Sequence, residues 1–417
     1  MKFLKNRRHS VCGINVAALF VFLLVFLFAQ EARTSNPLDN FVNSGTVIPE
    51  KCSVLIIDLS DGKKLFSHNS EVPLIPASIN KVVTIASLLE KSGTDFKYET
   101  KVYTTGKVKD GVLEGNLIFV GSGDPSLGAD IEPIGSDLIE ECIAHLKERK
   151  IKRISGGIEI DNSIFEGPST PPSWQAADLK QSYGTGCHGF NYRRNAVGKS
   201  SVANPGMVFT SQLLSALRQA GIEVEENKDA TNEGRKMLFT HQSPSIDEIM
   251  RSCMMRSDNL YAEAFLRTTA LLNGKEGTTE KGANLERKYW EKKNLPLEQV
   301  ELIDGSGLSR SNRMTADFMG SLLKYMADNV DFVSFFPLAG QEGTLKKFLK
   351  DTSLDSYVAL KTGSMNGIQC YAGYLLDDEY APTHAIVVMI NGFKNSRDAA
   401  KREVEKMLLE IFRPNIE

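Results

Sequence analysis

Two residues in the run PASINKVVTIASLL (Pro76–Leu89) have the types and spacing for acyl-transfer chemistry. Ser78 and Lys81 stand three apart, on one face of a predicted helix Ser78–Glu90 that is apolar on most other sides. A serine hydroxyl needs a base before it can attack a carbonyl, and a lysine desolvated beside it can be neutral and serve as one. A serine at a helix start also has free N–H groups and the positive end of the backbone dipole for developing negative charge. The competing explanation is a solvated lysine on a surface face, and the SxxK spacing alone does not decide between them.

Two more groups bear on the choice. Ser257-Asp258-Asn259 interrupts an otherwise helical apolar segment, MMRSDNLYAEAFL, within a helical stretch Ile246–Leu272 expected to break near Ser257. Lys361-Thr362-Gly363 ends a strand-like run, YVALKTGS, where a glycine lets a substrate backbone approach closely. Asp258 reads as structural, and Gly305-Ser306-Gly307 as a turn rather than a nucleophile elbow, because Asp304 stands two before the serine.

SxxK, SDN and KTG in this order resemble the β-lactamases and penicillin-binding proteins. Over roughly residues 40–415 the chain is similar to the low-molecular-mass (class C) penicillin-binding proteins of the D-alanyl-D-alanine carboxypeptidase/endopeptidase type, which carry a large insertion between the first two motifs. GNLIFVGSGDPSL (Gly115–Leu127), GGIEIDNSIF (Gly156–Phe165), NPGMVFTSQLLSALRQAGI (Asn204–Ile222), SDNLYAEAFLR (Ser257–Arg267), DGSGLSRSNRMT (Asp304–Thr315) and LAGQEGTL (Leu338–Leu345) carry the likeness. The long segment between Ser78 and Ser257 argues against a class A β-lactamase. One departure is that Phe190-Asn191-Tyr192 passes almost directly to Asn204-Pro205, so one subdomain of the best-known relatives is missing or reduced.

The resemblance implies an exported serine DD-peptidase. Ser78 would be the nucleophile on the carbonyl between two D-alanines, Lys81 the proton acceptor and Ser257 a relay to the leaving amine. Asn259 would bind the substrate backbone or hold Lys81. Lys361, Thr362 and Ser364 would receive the substrate's terminal carboxylate, with the N–H groups of Ser78 and Ser364 as oxyanion hole. Trp174, Asp178 and Arg310 match relatives that accept a diaminopimelate side chain; the alternative is a half-buried packing tryptophan and a structural ion-pair arginine. Expected partners are peptidoglycan stem peptides, with β-lactams as covalent inhibitors. An esterase, a D-aminopeptidase or a slow β-lactamase on the same scaffold, or a non-catalytic peptidoglycan binder, are the other readings.

The elements that must position these residues are an α+β set. A hairpin, Ser53–Leu59 and Lys63–Ser67 around Asp61-Gly62, pairs with C-terminal strands Tyr357–Thr362, Gln369–Leu376 and His384–Ile390 in one antiparallel sheet flanked by helices. This penicillin-binding/β-lactamase-like domain spans 34–95 and 205–417, with a β-rich domain inserted at 96–204. Lys2, Lys5, Arg7 and Arg8 before the uncharged run Ile14–Ala29 read as a signal peptide over 1–33, with an uncleaved anchor as the alternative. A net charge of -3 offers no footprint for nucleic acid. Five cysteines beyond Cys12, widely spaced and without CxxC, give no metal pattern and leave at least one thiol free. The glycine-rich stretches lack the setting of a phosphate cradle, so no cofactor is expected.

Overall fold

The computed structural model describes residues 36–129, 137–225, 227 and 234–412. The basic and apolar N-terminal segment expected to direct export lies outside the described residues.

A strand as continuously apolar as Ser53–Leu59 needs cover on both faces. It forms β1 (Cys52–Asp58), preceded by a short helix α1 (Pro37–Val42), and turns back as β2 (Lys64–His68). The turn Ala77–Ile79 then leads into α2 (Asn80–Ser92). Ser78 therefore sits in a 3₁₀ turn just ahead of the α-helix, not inside it as the expected span Ser78–Glu90 had it. Ala77 carries a positive φ of 49°, a conformation that costs a non-glycine residue about 1–2 kcal/mol.

The inserted unit follows. Its sheet contains β3 (Glu99–Thr104), β4 (Leu117–Val120), β5 (Ile158–Asp161) and, much later in the chain, β6 (Lys236–Gln242), in the order β6-β3-β4-β5. Two helices cover it, α3 (Leu138–Glu148) and α4 (Pro205–Gln219). Phe209, Leu213 and Leu217 of α4 share one buried core with Val102, Phe119 and Leu146. Both α4 and β6 lie beyond the expected boundary at 204/205: α4 packs Phe209 on Phe119, Phe190 and Tyr192, and β6 pairs with β3.

The chain re-enters the main body as α5 (Ile246–Arg256) and α6 (Asn259–Leu272), followed by α7 (Thr279–Lys292) and α8 (Ala316–Met326). The helical stretch is broken at Ser257, which takes the left-handed conformation (φ 58°, ψ 43°) that caps α5. Asp258 caps α6, accepting from the Tyr261 N–H.

Strands β7 (Val358–Met365), β8 (Ile368–Leu376) and β9 (Pro382–Ile390) complete the main sheet, and α9 (Arg397–Ile411) closes the chain. The order is β7-β8-β9-β1-β2, every neighbouring pair antiparallel. The period of two along each strand divides the core in two. Leu55, Ile57, Ala372, Tyr374, Val387 and Met389 face α2, α5, α6 and α8; Val54, Ile56, Tyr371, Ile386 and Val388 face α1 and α9. Cys52, Cys142, Cys187, Cys253 and Cys370 are all buried and unpaired.

Candidate active site

The 3₁₀ turn carrying Ser78, the break between α5 and α6, and strand β7 meet on one side of the main sheet. Gly363 of β7 lies against the turn: a Cβ there would stand 2.7 Å from the Pro76 carbonyl oxygen and 3.1 Å from the Ser78 nitrogen. Only a residue without a side chain allows the strand so close. Gly307 fits the turn from another side, where a Cβ would fall 1.9 Å from the Ala77 carbonyl oxygen.

Lys81, in the first turn of α2, is fully buried. Its Nζ lies 3.0 Å from Ser78 Oγ, 2.6 Å from Asn259 Oδ1 and 2.7 Å from the Ser306 carbonyl oxygen. Burial pushes its pKa down, opposed by the more distant carboxyls of Asp304, Asp258 and Glu263. The nearby Cys253 thiol is itself pushed up to about 12 by burial, so it is uncharged at neutral pH and does not hold the lysine's proton in place.

A second lysine mirrors the first. Lys361 Nζ donates to Ser257 Oγ at 2.8 Å and to the Thr362 carbonyl at 2.7 Å. Its pKa is pushed well down, first by burial and then by Lys81. Each serine hydroxyl thus has one buried lysine against it.

The loop Asp304–Gly307 is the platform for Lys81. Three α2 side chains take three successive carbonyls: Asn80 Nδ2 on Asp304 (2.7 Å), Thr84 Oγ1 on Gly305 (3.0 Å) and Lys81 on Ser306. The Ser306 N–H donates to Glu263 Oε1 at 2.8 Å. Burial raises the Glu263 pKa to about 8. The Asp304 carboxylate accepts from the Gly307 and Ser309 N–H groups and from Asn312 Nδ2.

The sequence-derived residues fall into two sets. Ser78, Lys81, Ser257, Asn259 and Lys361 come together, and Thr362 and Ser364 line the same cleft of about 300 Å³. Trp174 is buried, not half-buried, and its indole N–H is bound to Asp304 Oδ2 at 2.7 Å. Asp178 accepts from the Tyr183 hydroxyl at 2.9 Å, and the Tyr183 carbonyl accepts from Asn259 Nδ2 at 2.8 Å. Arg310 donates to the Asn366 carbonyl at 3.2 Å, and among the described residues it makes no ion pair. Asp258 is bound by the Arg194 guanidinium, Nε to Oδ2 at 2.6 Å.

Sequence reasoning passed over Glu263, Asp304 and the Ser306 carbonyl. Glu263 follows Asn259 by four residues and so shares its helix face, which was a usable signal. A backbone carbonyl carries none. A larger cavity of about 960 Å³ opens elsewhere, between Asp58 and Val330, and holds none of these residues.

Comparison with known proteins follows the same lines. The model of the D-Ala-D-Ala carboxypeptidase 3 (S13) family matches residues 35–207 and 185–411. The D-alanyl-D-alanine carboxypeptidase DacB of Haemophilus influenzae is 24% identical, over 83% of this chain and 87% of that protein. Among solved structures, penicillin-binding protein 4 of the same organism superposes with a TM-score of 0.77 at 22% identity, covering 90% of this chain and 99% of that one. A penicillin G acylated predatory endopeptidase of Bdellovibrio bacteriovorus superposes at 0.56 with 17% identity, covering 87% and 92%.

Proposed function

The chain belongs to the D-Ala-D-Ala carboxypeptidase 3 (S13) family of serine carboxypeptidases, and on that premise we propose that it hydrolyses D-Ala-D-Ala peptides of peptidoglycan through an acyl-enzyme on Ser78. The observation that carries this reading is the set of three contacts on Lys81. A neutral amine has two N–H donors and one lone pair. Two of its neighbours, Asn259 Oδ1 and the Ser306 carbonyl, can only accept, and they take the two donors. The third, at 3.0 Å, is the Ser78 hydroxyl, which can give its proton to the lone pair.

In the first half-reaction Ser78 Oγ bonds to the carbonyl carbon and the C–N bond breaks. The hydroxyl proton passes to Lys81 and reaches the leaving amine through Ser257, whose own hydroxyl is held by Lys361. In the second, water attacks the ester, its proton returns to Ser78 Oγ, and the shortened peptide leaves. The substrate's terminal carboxylate docks at Thr362 and Ser364 beside Lys361, whose depressed pKa rises again when that anion arrives. The N–H groups of Ser78 and Ser364 take the oxyanion. Peptidoglycan lies outside the cytoplasm, so the N-terminal basic and apolar segment fits as its export signal. Asp178 and Arg310 are candidate contacts to the stem-peptide side chain, and the indole of Trp174 holds Asp304. A non-catalytic binder would have no use for two buried lysines, each costly to desolvate. An esterase or D-aminopeptidase would share these parts and differ in substrate.

Benzylpenicillin tests the reading. Intact mass and peptide mapping of the folded protein are expected to show one penicilloyl group, on Ser78, and a D-Ala-D-Ala peptide to lose one alanine. A folded protein with no adduct, or an adduct on another residue, overturns it.

Gly363 gives a second expectation. Gly363→Ala presses a methyl group against the Pro76 carbonyl and the Ser78 nitrogen, so strand and turn must separate by tenths of an ångström. The penalty in stability is about 1–3 kcal/mol. Loss of one oxyanion donor costs about 10²–10³ in rate. Penicillin acylation is therefore expected to fall by about 10² or more while a thermal melt still shows a cooperative fold. An unchanged acylation rate would show that the two backbones do not form the hole.

A further inference from the structure

One stretch of the inserted unit lies against the main body rather than its own sheet. Phe165 and Cys187 belong to the core around α2 and α6, while Phe190 and Tyr192 belong to the core of the inserted unit. Arg267 of α6 donates to the carbonyls of Glu166 and Pro168. Beyond these anchors, three residues of Trp174–Arg194 make polar contacts with the main body, and each contact backs a partner of Lys81.

The contact to Asn259 sets a direction. A side-chain amide has an acceptor at one end and two donors at the other, in nearly the same shape. Lys81 needs the acceptor end: Oδ1 at 2.6 Å takes one N–H and leaves the lone pair of the neutral amine for Ser78. With the amide turned over, an N–H would point at the Lys81 nitrogen and compete with the Ser78 hydroxyl for that lone pair. Among the described residues the partner of Asn259 Nδ2 is the Tyr183 carbonyl, at 2.8 Å, which can only accept. A tight turn fixes this carbonyl. The Gln181 N–H donates to the Asp178 carbonyl and the Gly184 N–H to the Gln181 carbonyl, both at 2.9 Å. A Cβ on Gly184 would stand 2.0 Å from the Asp178 carbonyl oxygen.

The other two contacts act on the same surroundings. Arg194 Nε lies 2.6 Å from Asp258 Oδ2 and holds the cap from which α6 and Asn259 start. Trp174 Nε1 lies 2.7 Å from Asp304 Oδ2, and Asp304 Oδ1 accepts from the Gly307 N–H at 2.8 Å. That N–H and the Ser306 carbonyl bound to Lys81 belong to one planar peptide group, so the carboxylate holds the carbonyl from its far side.

We propose that Trp174–Arg194 is a positioning device for Lys81: through the Asn259 amide and the Ser306 peptide it keeps both acceptors on the amine's N–H groups and its lone pair on Ser78. The inference rests on the acyl-serine reading above and adds that proton acceptance by Lys81 depends on the inserted unit.

The test uses the whole enzyme and benzylpenicillin, which lacks the stem-peptide side chain, so loss of a contact to that side chain does not register. Gly184→Ala moves the Tyr183 carbonyl; Trp174→Phe removes the indole N–H and keeps an aromatic ring. Stopped-flow acylation over a range of penicillin concentrations separates binding from the acylation rate constant, and a melt reports the fold. Each variant is expected to lose about 10–10² in the rate constant, the cost of a misplacement of about 1 Å, with the binding constant within about twofold. Gly184→Ala is also expected to move the rising limb of acylation to lower pH. An amide N–H facing the Lys81 nitrogen favours the neutral amine, and the lost Oδ1 contact no longer favours the ammonium, so both changes lower the pKa. The other groups that act on this proton are Cys253 on α5, Asp258 and Glu263 on α6, Asp304 in the loop and Lys361 on β7, and neither variant replaces them. In an Asn259→Ala background, Gly184→Ala is expected to change the rate by less than about twofold, because the amide it acts through is gone.

Wild-type rate constants in both folded variants, losses confined to the binding constant, an unmoved pH limb, or an equal effect of Gly184→Ala with and without the Asn259 amide each overturn the positioning role. If Gly184→Ala does not fold, Trp174→Phe decides by the same comparison of rate and binding. A folded wild-type enzyme that benzylpenicillin does not acylate overturns the acyl-serine reading instead.

Discussion

Ser78→Ala is expected to abolish covalent labelling by benzylpenicillin and to lower turnover of a D-Ala-D-Ala peptide by about 10⁶-fold, the scale seen when a nucleophile is removed from a serine hydrolase. The reason is geometric. Ser78 alone among the cleft residues combines a hydroxyl, a buried amine at 3.0 Å and a position in a turn pressed against β7. The substitution removes one oxygen and leaves the Ala77 conformation, the Gly363 approach and the Lys81 contacts to Asn259 and Ser306 in place. Thermal stability should therefore change by less than about 1 kcal/mol. Mass spectrometry after penicillin and a melt on the same sample check both halves. An adduct on the variant would move the nucleophile elsewhere, and Ser257, with its own lysine at 2.8 Å, would be the next residue to map.

Lys81 should matter almost as much, and its replacements separate base from charge. Lys81→Ala is expected to slow acylation by about 10²–10⁴-fold, the usual contribution of a positioned general base. Lys81→Arg is expected to be no better, because a guanidinium keeps its proton and cannot accept another. In the native enzyme burial holds the Lys81 ammonium below its usual range, so the neutral form appears at lower pH than for a free lysine. Acylation should accordingly rise with pH through that depressed value, as the proton leaves Lys81, and level off above it. Stopped-flow acylation across pH 5–10 is the measurement. An arginine variant with native rates would show that the site needs only a cation, and a rate that falls with rising pH over the same limb would assign the active form to the ammonium.

The same residues show how far a sequence reaches. SxxK, SDN and KTG are local patterns whose residue types state their chemistry, and the continuous apolar runs Val54 to Ile57 and Tyr371 to Leu376 are enough to predict strands. The break in the helix at Ser257 was legible too, since SDN is a poor helix interior and a good cap. The docking of α4 was not. Pro205–Gln219 reads as an amphipathic helix wherever it docks, and nothing in its own residues says that Phe209 meets Phe119 at 4.8 Å. Trp174 followed the same rule: its motif suggested a substrate contact, while its partner, Asp304, is 130 residues away.

By itself, then, the sequence determined the reactive groups and the elements that bear them, because hydroxyls, amines and periodicities are properties of short stretches. The tertiary structure decided what surrounds each group. Lys81 is an amine in either state until a dry core assembled from distant parts of the chain lowers its affinity for a third proton, while the Ser306 carbonyl and the Asn259 amide take its two donors. The cleft beside Thr362 and Ser364 likewise exists only where α9 meets β7 and β8, so its size belongs to the fold and to no single stretch of the chain.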